Sequence, residues 1–287
     1  MLTDYHLHLQ PDGAAARAEH AAEWDAAGGY LSPAWIGRYT ARARARGVQE
    51  IAITEHVHRF AEAREWHPNP WWRDEATEDL DAYCAALEAA RAEGLPVLIG
   101  IEMDWLPDRQ AEIRRVVSDR PFDLVLGSVH WLAERAVDHP DYLAWDTLDP
   151  EEIWARYLDE LVAAARSGLF DVMAHIDLPK VFGHRPPESA LARWPEVIAQ
   201  IAAAGVAVEC STAGLRKPVG ELYPHPDLLG LCARAGIAVT LSSDAHRPAD
   251  VAAGYPTAVA ALGGAGYRHL TRFARRVATQ APIADWA

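Results

Sequence analysis

Two histidines one residue apart, His6 and His8 in Asp4-Tyr5-His6-Leu7-His8-Leu9, stand at the end of a short apolar run. On a strand, residues i and i+2 project from the same face, so both imidazoles can reach one point. Convergent imidazoles begin a zinc, iron or manganese site, but a pair is only half of one. Comparable residues recur at the ends of later apolar runs. They are His56 in Thr54-Glu55-His56, Glu102 in Gly100-Ile101-Glu102, His130 in Gly127-Ser128-Val129-His130, and His175 after Ala174. The last run ends in Ser242-Ser243-Asp244-Ala245-His246. Any single histidine of this kind is ordinarily a hydrogen-bonded packing residue. Six of the 13 histidines in such positions, with two carboxylates, form a different case. Gathered in one pocket without a cation, they would be electrostatically awkward and poor in hydrogen bonds.

Eight such groups exceed what one open zinc needs, three protein ligands and a water. They suit two or three divalent ions, and histidine with carboxylate but no thiolate favours Zn, Fe or Mn. Ions held close together clamp the attacking and leaving oxygens of an in-line displacement at phosphorus, and make hydroxide available at neutral pH.

The elements that must position these groups alternate along the chain. Apolar runs at residues 2–9, 51–54, 96–101, 122–127, 170–174, 206–210 and 237–241 read as strands. Helical periods fill residues 33–46, 75–93, 109–118, 150–167, 188–204 and 226–235, with an Ala-rich helical stretch at 14–22. Asp149 followed by Pro150 is a cap and first-turn signature. Residues 58–72 and 132–148 read as long loops, the second acidic, and a final helical stretch closes the chain. Seven βα units in one run imply parallel strands joined by right-handed crossovers. Strands apolar on both faces fit burial on both sides, so the expected fold is an α/β barrel in one domain spanning residues 1–287. In such barrels function gathers at the C-terminal ends of the strands, where the unusual polar residues fall.

The whole chain narrows the classes. Its 41 acidic and 27 basic residues leave a formal charge of −14, which argues against a broad nucleic-acid surface. Cys84, Cys210 and Cys232 are odd in number and lack CxxC spacing, reading as reduced structural residues. No run approaches the roughly 18 apolar residues a membrane span needs, and no basic-then-apolar leader opens the chain. The expectation is a cytoplasmic protein with a small phosphorylated substrate and neither nucleic-acid nor membrane partners.

Taken in order, HxH, TEH, GIE, SVH, AH and SDAH resemble the polymerase-and-histidinol-phosphatase (PHP) superfamily, and within it the monofunctional histidinol-phosphatases, from Asp4 to about Arg247. The motifs are specific in combination and weak singly. The resemblance implies a distorted seven-stranded (β/α)7 TIM-like barrel with a trinuclear metal centre. By it, His6, His8, Glu102 and Asp244 hold one ion, Glu102 bridges to a second held with His130 and His175, and His56 and His246 hold a third. Histidinol-phosphatases usually complete the third site with a histidine soon after the HxH pair, where this chain has Gln10-Pro11-Asp12-Gly13. Asp12 is the candidate there, although Pro-Asp-Gly is also ordinary turn chemistry, and His20 is a weaker one.

The activity implied is metal-dependent hydrolysis of L-histidinol phosphate to L-histidinol and phosphate, a step of histidine biosynthesis. Asp244 or His246 is the candidate for proton transfer. Phosphate also needs cationic side chains, for which Arg216, Lys217, Arg247 and Arg59 are the candidates. Each has a solvated-surface alternative. Trp66, Trp105 and Trp131 are candidates to stack on a substrate ring, or simply to pack. A second reading, to which the Asp12 departure gives weight, is a phosphoesterase for nucleotides or another small phosphate ester. A third is a non-catalytic PHP module partnering a polymerase, against which the eight main ligands stand.

Overall fold

A computed structural model of the chain describes residues 1–11 and 13–284. Seven parallel strands follow one another around the sheet in chain order: β1 (Thr3–Asp4), β2 (Glu50–Ile53), β3 (Val97–Asp104), β4 (Leu124–Ser128), β5 (Val172–Met173), β6 (Ala207–Ser211) and β7 (Val239–Ser242). The register runs Asp4 opposite Ile51, Ile51 opposite Val97, Glu102 opposite Leu126, Leu126 opposite Val172, Met173 opposite Val208, and Glu209 opposite Thr240. The seam between first and last strands is nearly closed. The Tyr5 N–H donates to the Leu241 carbonyl at 3.3 Å, the His8 N–H to that of Ala245 at 2.9 Å, and Leu7 bridges Ala245 in parallel. The expected α/β barrel is present.

Alternation decides what points inward. On β4, Leu124 and Leu126 enter a small inner cluster with Ala52, Val172, Ala174 and Ala207, while Val125 packs outward against the helices. The same alternation puts Ile99, Ile101 and Met103 of β3 in the outer core, leaving Glu102 and Asp104 for the interior. Val208 and Cys210 of β6 likewise face outward and leave Glu209 inside. Close approach matters at two strand glycines, Gly100 and Gly127, and most at the second. A Cβ on Gly127 would stand 2.3 Å from a ring carbon of Phe170, so only glycine lets the chain pass there on its way to His130.

Nine helices among the described residues cover the barrel: α1 (Ala14–Ala27), α2 (Pro33–Ala45), α3 (Pro70–Glu75), α4 (Leu80–Ala92), α5 (Gln110–Ser118), α6 (Pro150–Arg166), α7 (Glu188–Ala204), α8 (Pro226–Arg234) and α9 (Tyr255–Ala265). The Asp149 side chain accepts from the Glu152 N–H at 2.9 Å, as its cap signature predicts, a contact worth about 1 kcal/mol. The helix expected over 75–93 starts later. Asp79 caps it by accepting from the Ala82 N–H, and Glu75 ends a separate short helix, α3, capped by Asn69 with Pro70 at its first position. The cysteines are free and buried.

The chain does not close on a helical stretch. After α9 it forms an antiparallel hairpin, β8 (His269–Ala274) with β9 (Val277–Pro282), turned by Arg275 and Arg276 in left-handed backbone. Leu270, Thr271 and Phe273 are buried, and Phe273 enters the inner cluster, so the hairpin plugs the end of the barrel opposite the histidines. Arg272 forks onto Glu50, Arg276 forks onto Asp171, and the Arg275 N–H donates to Asp123. The reading as helix failed because the last strand pair earns its place by docking, not by its own periodicity.

Candidate metal centre

The strand ends converge on Glu102, whose carboxylate is fully buried. Around its Oε2 stand His56 Nδ1 at 2.6 Å, His6 Nε2 at 3.2 Å and His8 Nε2 at 3.5 Å. Around its Oε1 stand His175 Nε2 at 3.1 Å and His130 Nε2 at 3.5 Å. Asp244, next along the mouth, brings its Oδ1 to within 3.3 Å of His246 Nε2, 3.4 Å of His8 Nε2 and 3.7 Å of His6 Nε2. His8 stacks between His56 and His246, with ring centroids 4.1 and 4.3 Å away. All eight strand-end residues singled out in the sequence therefore meet in one place.

They form four overlapping groups with donor atoms close enough to share an ion: His6-His8-Asp244, His6-Glu102-His175, His56-Glu102-His130 and His8-His56-His246. The geometry distributes the ligands less tidily than the family resemblance does. His8 reaches towards His56 and His246 as well as towards His6 and Asp244. His56 reaches Glu102 with His130. The expectation for Asp12 lies outside the described residues. His20 sits on α1 with its Nδ1 3.8 Å from Glu23.

The donors fit cations. His6 Nδ1 is 2.8 Å from Glu209, and His130 Nδ1 is 2.8 Å from Asp104, so each imidazole directs Nε2 inward. His6 Nε2, His8 Nε2 and Glu102 Oε2 are buried without a hydrogen-bond partner among the described residues. Lone pairs facing carboxylate oxygens across such distances require positive charge between them. The electrostatics agree. Burial alone would raise the Glu102 carboxyl, yet His56, His6 and His130 hold it well below the usual range. Burial would depress His130, but Asp104, Asp138 and Glu102 push it up to about 10. His8 is lowered, by burial and by its neighbours His56 and His246.

The backbone is bent to make this mouth. His175 and Asp244 carry φ of 24° and 49°, left-handed values that cost a residue with a Cβ roughly 1–3 kcal/mol.

A cavity of about 370 Å³ opens over the cluster. Its wall includes Glu102, His130, His175, Asp244 and His246, and beyond them Trp71, Trp131, His139, Asp138 and Lys217. Of the four cationic candidates, Lys217 lines it. The other three are placed elsewhere. Arg59 is buried against Glu55 at 3.3 Å, with Nη2 directed at the Gln10 and Pro11 carbonyls. Arg216 donates to the Ser243 and Asp244 carbonyls at 2.6 and 3.0 Å, bracing the loop that carries Asp244. Arg247 is exposed and pairs with Asp250. Trp131 lines the cavity, Trp105 donates to Glu160, and Trp66 is buried off the cavity wall.

Several residues escaped the sequence reading. Trp71, whose ring lies 4.6 Å from that of His139 and 5.9 Å from that of Trp131, sits in the segment expected to be loop. His58 stacks on His56 at 4.7 Å and also lines the cavity. Glu209 and Asp104 carried a usable signal, since a lone carboxylate inside a buried apolar strand needs a partner.

The profile of the PHP domain family matches residues 32–213. The chain belongs to the PHP domain family. A curated relative from Deinococcus radiodurans, named "Probable histidinol-phosphatase", is 35% identical over 237 residues, covering 81% of this PHP chain and 88% of its own. Among solved structures, a histidinol phosphate phosphatase from Lactococcus lactis, complexed with zinc, L-histidinol and phosphate, superposes with a TM-score of 0.74. Its identity is 22%, and 97% of this chain and 98% of that one are covered. A histidinol phosphatase from Listeria monocytogenes, described as putative in its name, superposes at 0.72 with 21% identity, covering 89% and 99%. At those identities the two structures speak for the PHP barrel itself.

Proposed function

We propose that this PHP protein hydrolyses L-histidinol phosphate to L-histidinol and phosphate. The observation that carries the reading is the composition of the cavity. Its lining joins the histidine-carboxylate cluster and Lys217 to the rings of Trp71, Trp131 and His139 and the carboxylates of Asp138 and Asp141. A phosphate ester whose alcohol half is anionic, as in a nucleoside bisphosphate, would meet like charge there. An ester whose alcohol half carries an ammonium and an aromatic ring meets carboxylates and ring faces. The name of the Deinococcus relative points the same way.

His6, His8 and Asp244 would hold one ion, Glu102 would share in a second with His130 and His175, and His56 and His246 would take part in a third, with His8 within reach. Divalent ions bound there supply positive charge for the phosphoryl oxygens and a nucleophile at neutral pH. The chain's own residues do the rest. Lys217 binds the phosphate as a point charge. The aromatic wall holds the ring of the alcohol and excludes water from it. His246 Nδ1 faces the Gln10 carbonyl at 3.1 Å, which assigns its hydrogen there and turns the Nε2 lone pair, beside Asp244, towards the ion it would help to hold.

The test is a side-by-side screen of the zinc- or manganese-loaded protein on L-histidinol phosphate, nucleoside monophosphates and nucleoside bisphosphates. Preference for histidinol phosphate by at least about tenfold in kcat/KM, roughly 1.4 kcal/mol, is expected. Efficient hydrolysis of a nucleotide with neglect of histidinol phosphate would overturn the substrate. His130→Ala should abolish turnover while the circular dichroism spectrum is kept. Full activity in that variant would overturn the role of the cluster.

A further inference from the structure

Glu209 is 1% exposed, set between the apolar Val208 and Cys210 of its strand, and lies in none of the four candidate ligand groups. Its Oε1 accepts from His6 Nδ1 at 2.8 Å and from the Ser242 hydroxyl, and its Oε2 accepts from the His175 N–H at 2.9 Å. One carboxylate on β6 thus ties together the ends of β1, β5 and β7. It reaches His6 through the side chain. It reaches His175 through the backbone, at the residue whose φ of 24° needs an outside restraint to persist. Asp104, on the inward face of β3 and 1% exposed, accepts from His130 Nδ1 at 2.8 Å in the same manner.

We infer that Glu209 and Asp104 are the positioning residues of the metal centre: Glu209 fixes the tautomer of His6 and the placement of His175, and Asp104 fixes the tautomer of His130. With Nδ1 committed as donor to a carboxylate, each imidazole must present the Nε2 lone pair towards Glu102. The buried negative charge also raises the basicity of the ring it holds. Neither carboxylate lines the cavity, and neither falls in the four candidate ligand groups. The inference rests on His6, His130 and His175 being ligands, as proposed above.

The test measures binding, not turnover. Chelator-treated wild type, Glu209→Gln and Asp104→Asn are titrated with zinc against a competing chelator of known affinity, and thermal unfolding of the metal-free forms is recorded beside it. Both amides preserve shape and remove charge. Each substitution is expected to weaken zinc affinity about 10- to 100-fold. At saturating zinc, much of kcat should return, because the defect is one of affinity and orientation. The downfield Nδ1–H proton resonance of His6 should disappear in Glu209→Gln, and that of His130 in Asp104→Asn. Affinities within threefold of wild type in the folded variants would overturn the inference. So would a loss of binding that merely tracks a loss of folded protein. Should Glu209→Gln not fold, Asp104→Asn decides by the same readouts. Wild-type protein that binds no zinc would instead refute the metal reading itself, a result distinct from either variant's.

Discussion

Asp138 and Lys217 line the same cavity with opposite charge, which lets them sort the two ends of a zwitterionic ester. A charge-assisted contact from Asp138 to a substrate ammonium is worth about 1.5–3 kcal/mol. Asp138→Asn is therefore expected to lower kcat/KM for histidinol phosphate by at least about tenfold. The same variant should leave hydrolysis of a phosphate monoester whose aryl half is uncharged within about twofold, and steady-state kinetics on the two esters reads the difference. Lys217→Met should raise KM for both esters alike, because phosphate is common to them. Arg247→Ala, which removes only an exposed pair with Asp250, should change neither. At this scale the candidate ligands were legible in the sequence because they close six of the seven apolar runs. Arg59 was not. It turns away from the cavity to Glu55, four residues before it, which it holds at about 2 against the upward push of burial.

The hairpin β8–β9 matters as an element because it supplies cations to carboxylates that would otherwise be stranded at the closed end of the barrel. Asp171 accepts the Val125 N–H at 2.8 Å while Arg276 forks onto it at 2.9 and 3.0 Å. Burial still raises the Asp171 carboxyl above its ordinary range, with Arg276 opposing. An acid raised in the folded state favours folding most below its unfolded pKa, and that contribution is lost as pH climbs through the raised value. Arg276→Ala removes the opposing charge, so the carboxylate form becomes costlier still. The destabilisation of Arg276→Ala relative to wild type should accordingly be larger at pH 7.5 than at pH 4.5. A magnitude of roughly 1–3 kcal/mol at the higher pH is expected from urea denaturation. An equal gap at both values would show that Asp171 does not depend on Arg276. The segment before α4 shows the same limit of local reading. Its aromatics have no period, yet Trp72 is fully buried and donates to the Ala63 carbonyl at 2.7 Å, a contact only the folded neighbourhood creates.

Across the whole molecule, the candidate ligands come from six of seven strand ends, so ions bound among them would cross-link the barrel mouth. Anything that binds the folded form alone stabilises it by mass action, about 2.7 kcal/mol at a free ion concentration 100 times its Kd. Chelation should therefore lower Tm and make it depend on metal concentration, while the far-ultraviolet spectrum of the chelated protein stays native. The outer core between strands and helices, with Trp35, Trp72, Trp154 and Trp194 fully buried, draws on none of the candidate ligands and should keep the fold on chelation. Loss of all secondary structure on chelation would mean that the mouth, not that core, carries the fold. No helix among the described residues is long and apolar enough to cross a membrane.

By itself the sequence determined the parallel alternation of strand and helix, and the identity of the residues at the strand ends. Both are written in local pattern: apolar runs of strand length, helical periods between them, and a histidine or carboxylate where each run stops. Only the tertiary structure decided which of those residues face one another, that His8 stands between two groups of candidate ligands, and that Glu209 and Asp104 accept from the rings of His6 and His130 on the side away from Glu102. It also decided that a hairpin seals the far end and that Lys217, not its arginine neighbour, reaches the cavity. The reason is geometric. Where a side chain points across a barrel depends on the register between strands far apart in the chain, and no local spacing records that register.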